Sequence, residues 1–152
     1  MPNAIELLEE DHDKVRGLLK KLTDSDNGDQ KERDELLKKI RNELHIHTRL
    51  EEEIFYPAFR EADEKAHGEL YHESMEEHHI VEDMVIPDTE DADRKSAEFS
   101  GCAKVLRELV EHHAKDEEEE MFPKAKKALT KKQLEELGSR MESRKKELQD
   151  SL

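Results

Sequence analysis

The chain has 152 residues, 33% of them hydrophobic and 44% charged, and its formal net charge is -15. This length fits one domain, and a content of no Trp, two Tyr and four Phe argues against a sheet protein with a thick aromatic core. The negative charge argues against nucleic acid or an anionic membrane as a partner, because both would repel it.

Cysteine content and hydropathy exclude further classes of protein and of metal site. Cys102 stands alone, which excludes an internal disulfide and a cysteine-based metal site, so any metal must use nitrogen and oxygen ligands. No segment approaches the roughly 20 apolar residues of a membrane span. Residues 1–6 lack the basic and apolar regions of a secretory signal, so we expect a cytoplasmic protein.

Apolar residues at helical spacing predict the first two helices. The first begins at Asn3 and Glu6, which form a potential capping box, and ends before a turn over residues 23–30. The second follows that turn and reaches Pro57 near its end.

Three further helices are predicted in the second part of the chain. A break at residues 67–68 precedes the third, which is expected to stop at Pro87. An acidic loop over residues 88–93 leads to the fourth, which ends near Pro123. A fifth helix is predicted over residues 130–149, with Thr130 and Gln133 as a capping pair at its start.

Long amphipathic helices joined by short loops predict an all-α fold. We expect an antiparallel four-helix bundle over residues 4–127, on which the helix of residues 130–149 packs. Residues 1–152 would thus form a single domain.

Polar residues interrupt the apolar stripes at positions where the helical rhythm would place core residues, so each is expected to point inward. There are six of them: His12, His47, Glu51, His78, His113 and Glu117.

The two halves of the chain repeat at a fixed offset. The repeat indicates a duplicated helical hairpin whose halves face each other across a pseudo-twofold axis, which makes a symmetric two-metal site natural. The pairs that lie 66 residues apart are His12 and His78, His47 and His113, Glu51 and Glu117, and Pro57 and Pro123.

The spacing of these residues suits metal binding. His47 and Glu51 lie one helical turn apart on one face, and His113 and Glu117 repeat the arrangement. Each His can bind one ion while its Glu bridges to the other, and the first and third helices add one His each. Mixed imidazole and carboxylate ligation suits iron, with manganese and zinc as alternatives.

Four segments resemble the hemerythrin HHE cation-binding family. The resemblance covers residues 4 to about 127, and the last helix is similar to the extension of stand-alone bacterial hemerythrin-like proteins. It implies two iron ions in an oxo- or hydroxo-bridged centre, and a role as oxygen carrier, as oxygen, iron or redox sensor, or as catalase-like enzyme. The segments are Asp11-His12, HTRLEEEIFYP at 47–57, Glu77-His78, and HAKDEEEEMFP at 113–123.

The third helix departs from the family pattern. Oxygen-carrying members place two His four residues apart there, whereas His78 is followed at that spacing by Glu82. The candidates for the missing seventh ligand are Glu82, His79 and Tyr56. Because the residue 66 positions after Tyr56 is Phe122, a phenolate could bind one iron only.

A more open or phenolate-bound di-ferric centre favours peroxide chemistry over reversible oxygenation. We therefore expect catalase-like removal of hydrogen peroxide in oxidative stress defence. The alternative is that the same centre binds or stores oxygen reversibly, or senses oxygen, iron or nitric oxide. The partners would be these small molecules, and the chain would be a monomer or a weak homo-oligomer.

Other polar residues receive less specific interpretations. A ferritin-like oxidase is a weaker hypothesis, because the Glu-x-x-His matches at Glu9 and Glu76 are not related by the 66-residue offset. The acidic runs beside the predicted ligands, Glu52–Glu53 and Glu118–Glu120, are expected on solvated faces, although one of them could orient a ligating imidazole. The remaining His residues, expected off the site, are His45, His67, His72, His79 and His112.

Overall fold

The computed structural model describes residues 2–152, so Met1, the first residue of the predicted domain, lies outside the described residues. The described residues are all-helical and form five long helices without strands. Within residues 2–152, no helix has the length and apolar character needed to cross a membrane.

Three of the five helices contain a π-helical turn and continue beyond it. In chain order the helices are α1 (Ala4–Asp24), α2 (Gln30–Leu50, π-turn Glu51–Phe55, then Tyr56–Ala62), α3 (Glu64–Ile80, π-turn Val81–Val85, then Ile86–Asp91), α4 (Ala97–Asp116, π-turn Glu117–Met121, then Phe122–Ala128) and α5 (Lys131–Asp150).

Each π-turn is followed by a proline two residues after its end, namely Pro57, Pro87 and Pro123. Proline has no N–H to donate and its ring clashes with the carbonyl four residues earlier, so a widened turn lets the helix continue past it. The prediction that the third helix stops at Pro87 is therefore wrong, since α3 continues to Asp91. The predicted acidic loop shrinks to residues 92–96.

The connection between α2 and α3 also differs from the prediction. Asp63 alone separates the two helices, and its side chain accepts a hydrogen bond from the backbone N–H of Ala66. The predicted break at residues 67–68 is wrong. His67 lies inside α3, buried, where its Nδ1–H donates to the carbonyl of Phe59 over 2.6 Å.

The starts of α1 and α5 follow the predicted local chemistry. Asn3 and Glu6 form the expected capping box at α1, and Thr130 and Gln133 form one at α5. Helix α1 packs on α2 and α4, α3 packs on α2 and α4, and α5 packs on α1 and α2.

Two apolar clusters make the core, and a polar layer lies between them. On α1, His12 lies between Leu8 of the first cluster and Val15 of the second. On α2, His47 lies between Leu50 of the first and Leu44 of the second. The helices therefore deliver polar side chains to the middle of an apolar core.

Candidate metal centre

The structure brings all six predicted ligand residues together in this polar layer. Glu51 is 0% and Glu117 1% exposed, and the four His are also buried. Burying carboxylates in an apolar core is costly unless each is paired or bound to a cation.

The donor atoms form two groups, and within each group they lie within 4.8 Å of one another. Glu51 belongs to both groups. The first group consists of His12, His47, Glu51 and Glu117, and the second of Glu51, His78 and His113.

In the first group, each imidazole turns Nε2 toward a carboxylate oxygen. His12 Nε2 lies 3.0 Å from Oε1 of Glu117, and His47 Nε2 lies 3.2 Å from Oε1 of Glu51. Each of these contacts joins a His to a carboxylate that the repeat predicts to bridge two ions.

In the second group, the two imidazoles meet the same carboxylates. His78 Nε2 lies 3.0 Å from Oε1 of Glu51, and His113 Nε2 lies 3.4 Å from Oε1 of Glu117. The two Nε2 atoms are 3.1 Å apart. Two His per group, with both carboxylates between them, is the arrangement that the 66-residue repeat predicts.

The outward Nδ1 atoms of His47 and His113 each meet a carboxylate from a neighbouring helix. Asp11 accepts from His47 over 3.0 Å, and Glu77 accepts from His113 over 2.6 Å. A carboxylate that holds the proton on Nδ1 leaves the Nε2 lone pair free for a metal.

The other two imidazoles are held in the same way. Glu118 accepts from His12 Nδ1 over 2.7 Å, and Glu52 accepts from His78 Nδ1 over 2.8 Å. We expected these glutamates on solvated faces, with one of them able to orient an imidazole, whereas both are partly buried and both contact an imidazole. The signal was present in the sequence, because Glu52 and Glu118 are themselves 66 residues apart, as are Asp11 and Glu77.

The charged side chains of this layer shift one another's pKa values. Burial, together with the negative charge of Glu51, raises the pKa of Glu117. Burial opposes protonation of His47, but the charges of Glu51 and Asp11 outweigh it and raise its pKa to about 10. The carboxylates thus draw positive charge into the layer, as protons when no metal is bound.

Two buried donor atoms point to a cation. His47 Nε2, which is 3.2 Å from Glu51 Oε1 but not aligned for a hydrogen bond, and Glu51 Oε2 have no hydrogen-bond partner among residues 2–152. Buried polar atoms are nearly always partnered, so these two are explained if a metal ion takes them as ligands. The nitrogen and oxygen donors fit iron, and also manganese or zinc.

Tyr56 adds a phenol oxygen to the second group. Its hydroxyl donates to Oε2 of Glu117 over 2.8 Å and lies 3.2 Å from Nε2 of both His78 and His113. Burial and the charges of Glu117 and Glu51 raise the pKa of Tyr56 well above its usual value. A bound cation would reverse that effect by stabilising the phenolate.

The other two candidates for a seventh ligand do not touch the ligand groups, although Glu82 lines the cavity beside them and its buried Oε1 has no hydrogen-bond partner among the described residues. The carboxylate of Glu82 faces Arg49 at 3.9 Å and His45 at 4.0 Å. His79 is exposed and pairs with Asp83 over 2.7 Å. The structure therefore brings Tyr56 into contact with the ligand groups, but not Glu82 or His79.

A small cavity of about 30 Å³ adjoins the ligand groups. This is room for a molecule of two or three heavy atoms, since a single water needs about 10–15 Å³ by the same measure. Its apolar lining residues are Val15, Leu44, Val81, Val110 and Ala114.

Comparison with known proteins gives consistent matches. Residues 3–125 match the family model described as the hemerythrin HHE cation binding domain. Proteins from Mycobacterium bovis and Mycobacterium tuberculosis are each 30% identical over 150 residues, covering 98% of this chain and 89% of theirs. The crystal structure of a hemerythrin HHE cation binding domain-containing protein from Mycobacterium kansasii is 29% identical with a TM-score of 0.86. It covers 99% of this chain and 90% of that one.

Proposed function

The chain belongs to the hemerythrin HHE cation-binding family, and from that premise we propose that it is a di-iron protein that removes hydrogen peroxide in a catalase-like reaction. We take residues 1–152 as one domain, in which α1–α4 form an antiparallel four-helix bundle with an internal twofold repeat. Helix α5 packs on this bundle.

The two ligand groups support an assignment of the side chains to two iron ions. His12 and His47 would hold one iron, and His78 and His113 the other. Glu51 contacts His47 of the first group and His78 of the second, which suits a carboxylate that bridges both ions. Glu117 likewise contacts one His of each group.

A pair of iron ions would supply Lewis acidity and reversible changes of oxidation state, so that two molecules of hydrogen peroxide yield one of oxygen and two of water. The protein supplies rigid ligands, because each Nδ1–H is held by a carboxylate. It also supplies an apolar cavity beside the ligands, large enough for peroxide and too small for most organic substrates.

The position of the Tyr56 hydroxyl is the observation that carries the proposal. It touches Nε2 of both imidazoles of the second group, whereas the first group has the phenyl ring of Phe122 stacked on His12. A phenolate on one iron would make the two positions unequal and favour the ferric state. Glu117 Oε2, at 2.8 Å, is the acceptor nearest to the phenol proton.

The test combines metal analysis with optical spectra of the purified protein before and after addition of peroxide and of oxygen. We expect two irons per chain and rapid release of oxygen from peroxide. A reversible oxygenated spectrum without oxygen release would favour the alternative of oxygen binding, storage or sensing. A protein that binds no iron pair would contradict both.

A further inference from the structure

Helix α5 reaches the first ligand group through a single chain of contacts. Lys145 Nζ donates to Oδ1 of Asp11 over 2.9 Å. The other oxygen of Asp11 accepts the Nδ1–H of His47 over 3.0 Å. The ammonium group therefore lies two hydrogen bonds away from the inward Nε2 of a candidate ligand.

This contact is partly shielded from water. The side chain of Asp11 is 6% exposed and that of Lys145 29% exposed. A shielded ion pair restricts its partners far more than a surface pair does, and removal of one member leaves the other charge uncompensated. Lys145 thus holds the Asp11 carboxylate in one orientation.

The same position in the other half of the repeat is held differently. Glu77, 66 residues after Asp11, accepts from His113, and its other oxygen lies 3.6 Å from Nε2 of His112. That imidazole is 64% exposed and belongs to α4 itself. The carboxylate of the first group, Asp11, is therefore bound by a lysine from a separate helix, α5. The carboxylate of the second group, Glu77, faces the exposed imidazole of His112 instead.

The remaining two carboxylates do not remove this difference. Glu118, behind His12, accepts from Arg16 over 2.9 Å and 3.0 Å. Glu52, behind His78, accepts from Arg49 over 3.1 Å. Each group therefore has one carboxylate that accepts hydrogen bonds from an arginine, and the groups differ in what binds the other carboxylate, Asp11 or Glu77.

Resting on the di-iron function proposed above, we propose that Lys145 is a positioning residue that couples α5 to the metal centre. It fixes Asp11, and Asp11 fixes the ring and the Nδ1 proton of His47. The first group is then pre-organised for its ion by the C-terminal helix, while the second group is not.

The test is anaerobic Fe²⁺ titration of the full chain and of Lys145→Met, with Lys146→Met as the matched control because Lys146 is exposed and adjacent. We expect Lys145→Met to bind one of its two ions about tenfold more weakly, the low end of what loss of a ligand-orienting partner costs. Lys146→Met should bind both ions like the wild type, and Lys145→Arg should restore most of the loss.

A second measurement does not depend on iron chemistry. In the Zn²⁺-loaded protein, exchange of the His47 Nδ1 proton with water, followed by NMR, should be about tenfold faster in Lys145→Met than in the wild type. His113 should be unchanged. In a double-mutant cycle, Lys145→Met should add nothing to Asp11→Asn, because Lys145 acts through Asp11.

The outcomes separate the two proposals. Equal Fe²⁺ binding and equal proton exchange in wild type and Lys145→Met would overturn the role of Lys145 while leaving the di-iron function intact. Additive effects of Lys145→Met and Asp11→Asn would also overturn it. A wild-type chain that binds no pair of ions would overturn the di-iron function and this inference with it.

Discussion

The hydroxyl of Tyr56 donates a 2.8 Å hydrogen bond to Glu117, whereas Phe122, its counterpart 66 residues further along, has no hydroxyl to offer. The two rings otherwise occupy matching places, since Tyr56 stacks on His78 and Phe122 stacks on His12. A single oxygen atom therefore distinguishes the two ligand groups at this point.

Replacing Tyr56 by Phe removes that oxygen. If the phenolate binds iron, Tyr56→Phe should lose the phenolate charge-transfer band of the di-ferric protein, and oxygen release from peroxide should fall by about 10- to 100-fold. Optical spectra and an oxygen electrode measure these effects. The matched control is Tyr71→Phe, which changes the chain's other tyrosine, a partly buried side chain next to Tyr56. A band that survives in Tyr56→Phe would contradict phenolate ligation.

Neutralising Glu51 should affect both metal positions, because its carboxylate belongs to both ligand groups. The isosteric change Glu51→Gln keeps the packing but removes the negative charge that we propose bridges two cations. We expect the affinity of both positions for iron to fall by at least about tenfold, so that the purified variant holds fewer than two irons per chain. Metal analysis measures the loss. His79→Ala is the control, since His79 is exposed and pairs with Asp83, and retention of both irons by Glu51→Gln would contradict a bridging role.

The stability of the metal-free protein should depend on pH. Burial lowers the pKa of His47, but the negative charges of Glu51 and Asp11 outweigh burial and raise this pKa from 6.5 to about 10. A raised pKa stabilises the fold below the unfolded-state value and loses that contribution as the pH rises through the folded-state value. The free energy of unfolding should therefore fall between about pH 6.5 and about pH 10, by at most about 1.4 kcal/mol per pH unit for one proton.

Urea unfolding of the metal-free protein at several pH values in this window measures the slope. Metal-loaded protein serves as the comparison, because bound cations would replace the protons and flatten the profile. A stability of the metal-free protein that is constant or rises over the window would contradict the charge arrangement described for His47.

Docking of α5 should depend on Gly138. A Cβ at this position would lie 2.7 Å from the carbonyl oxygen of Pro2 and 3.0 Å from the backbone nitrogen of Ala4, closer than packed atoms approach. We expect Gly138→Ala to destabilise the fold by about 1–3 kcal/mol, the usual cost of overpacking. Gly101→Ala is the control, because a Cβ there meets nothing within 4 Å on an exposed helical turn.

The control should change stability in the opposite direction. Alanine favours a helix over glycine by about 1 kcal/mol, so Gly101→Ala should be neutral or stabilising. Thermal or chemical unfolding of both variants measures the contrast. Equal stability of the two variants would contradict a close approach between α5 and the N-terminal segment.

Local sequence patterns predicted the starts of α1 and α5 and the inward-facing residues, but not the start of α3 at Glu64. Asn3 with Glu6, and Thr130 with Gln133, form capping boxes because these contacts span only three residues. Helix ends were predicted less well, because we read Pro87 as a stop. A proline breaks a regular α-helix, but a π-turn before it lets a packed helix continue, and that packing is a tertiary effect.

The sequence by itself determined which polar residues meet in the buried layer, because a helical period and a 66-residue repeat place His12, Glu51 and their counterparts on inward faces. Only the tertiary structure decided which residues form hydrogen bonds to the outer side of this layer. Glu118 reaches His12 from another helix, and Lys145 reaches Asp11 across 134 positions of chain. Such contacts depend on how helices cross rather than on spacing along one helix, so a periodic pattern cannot specify them.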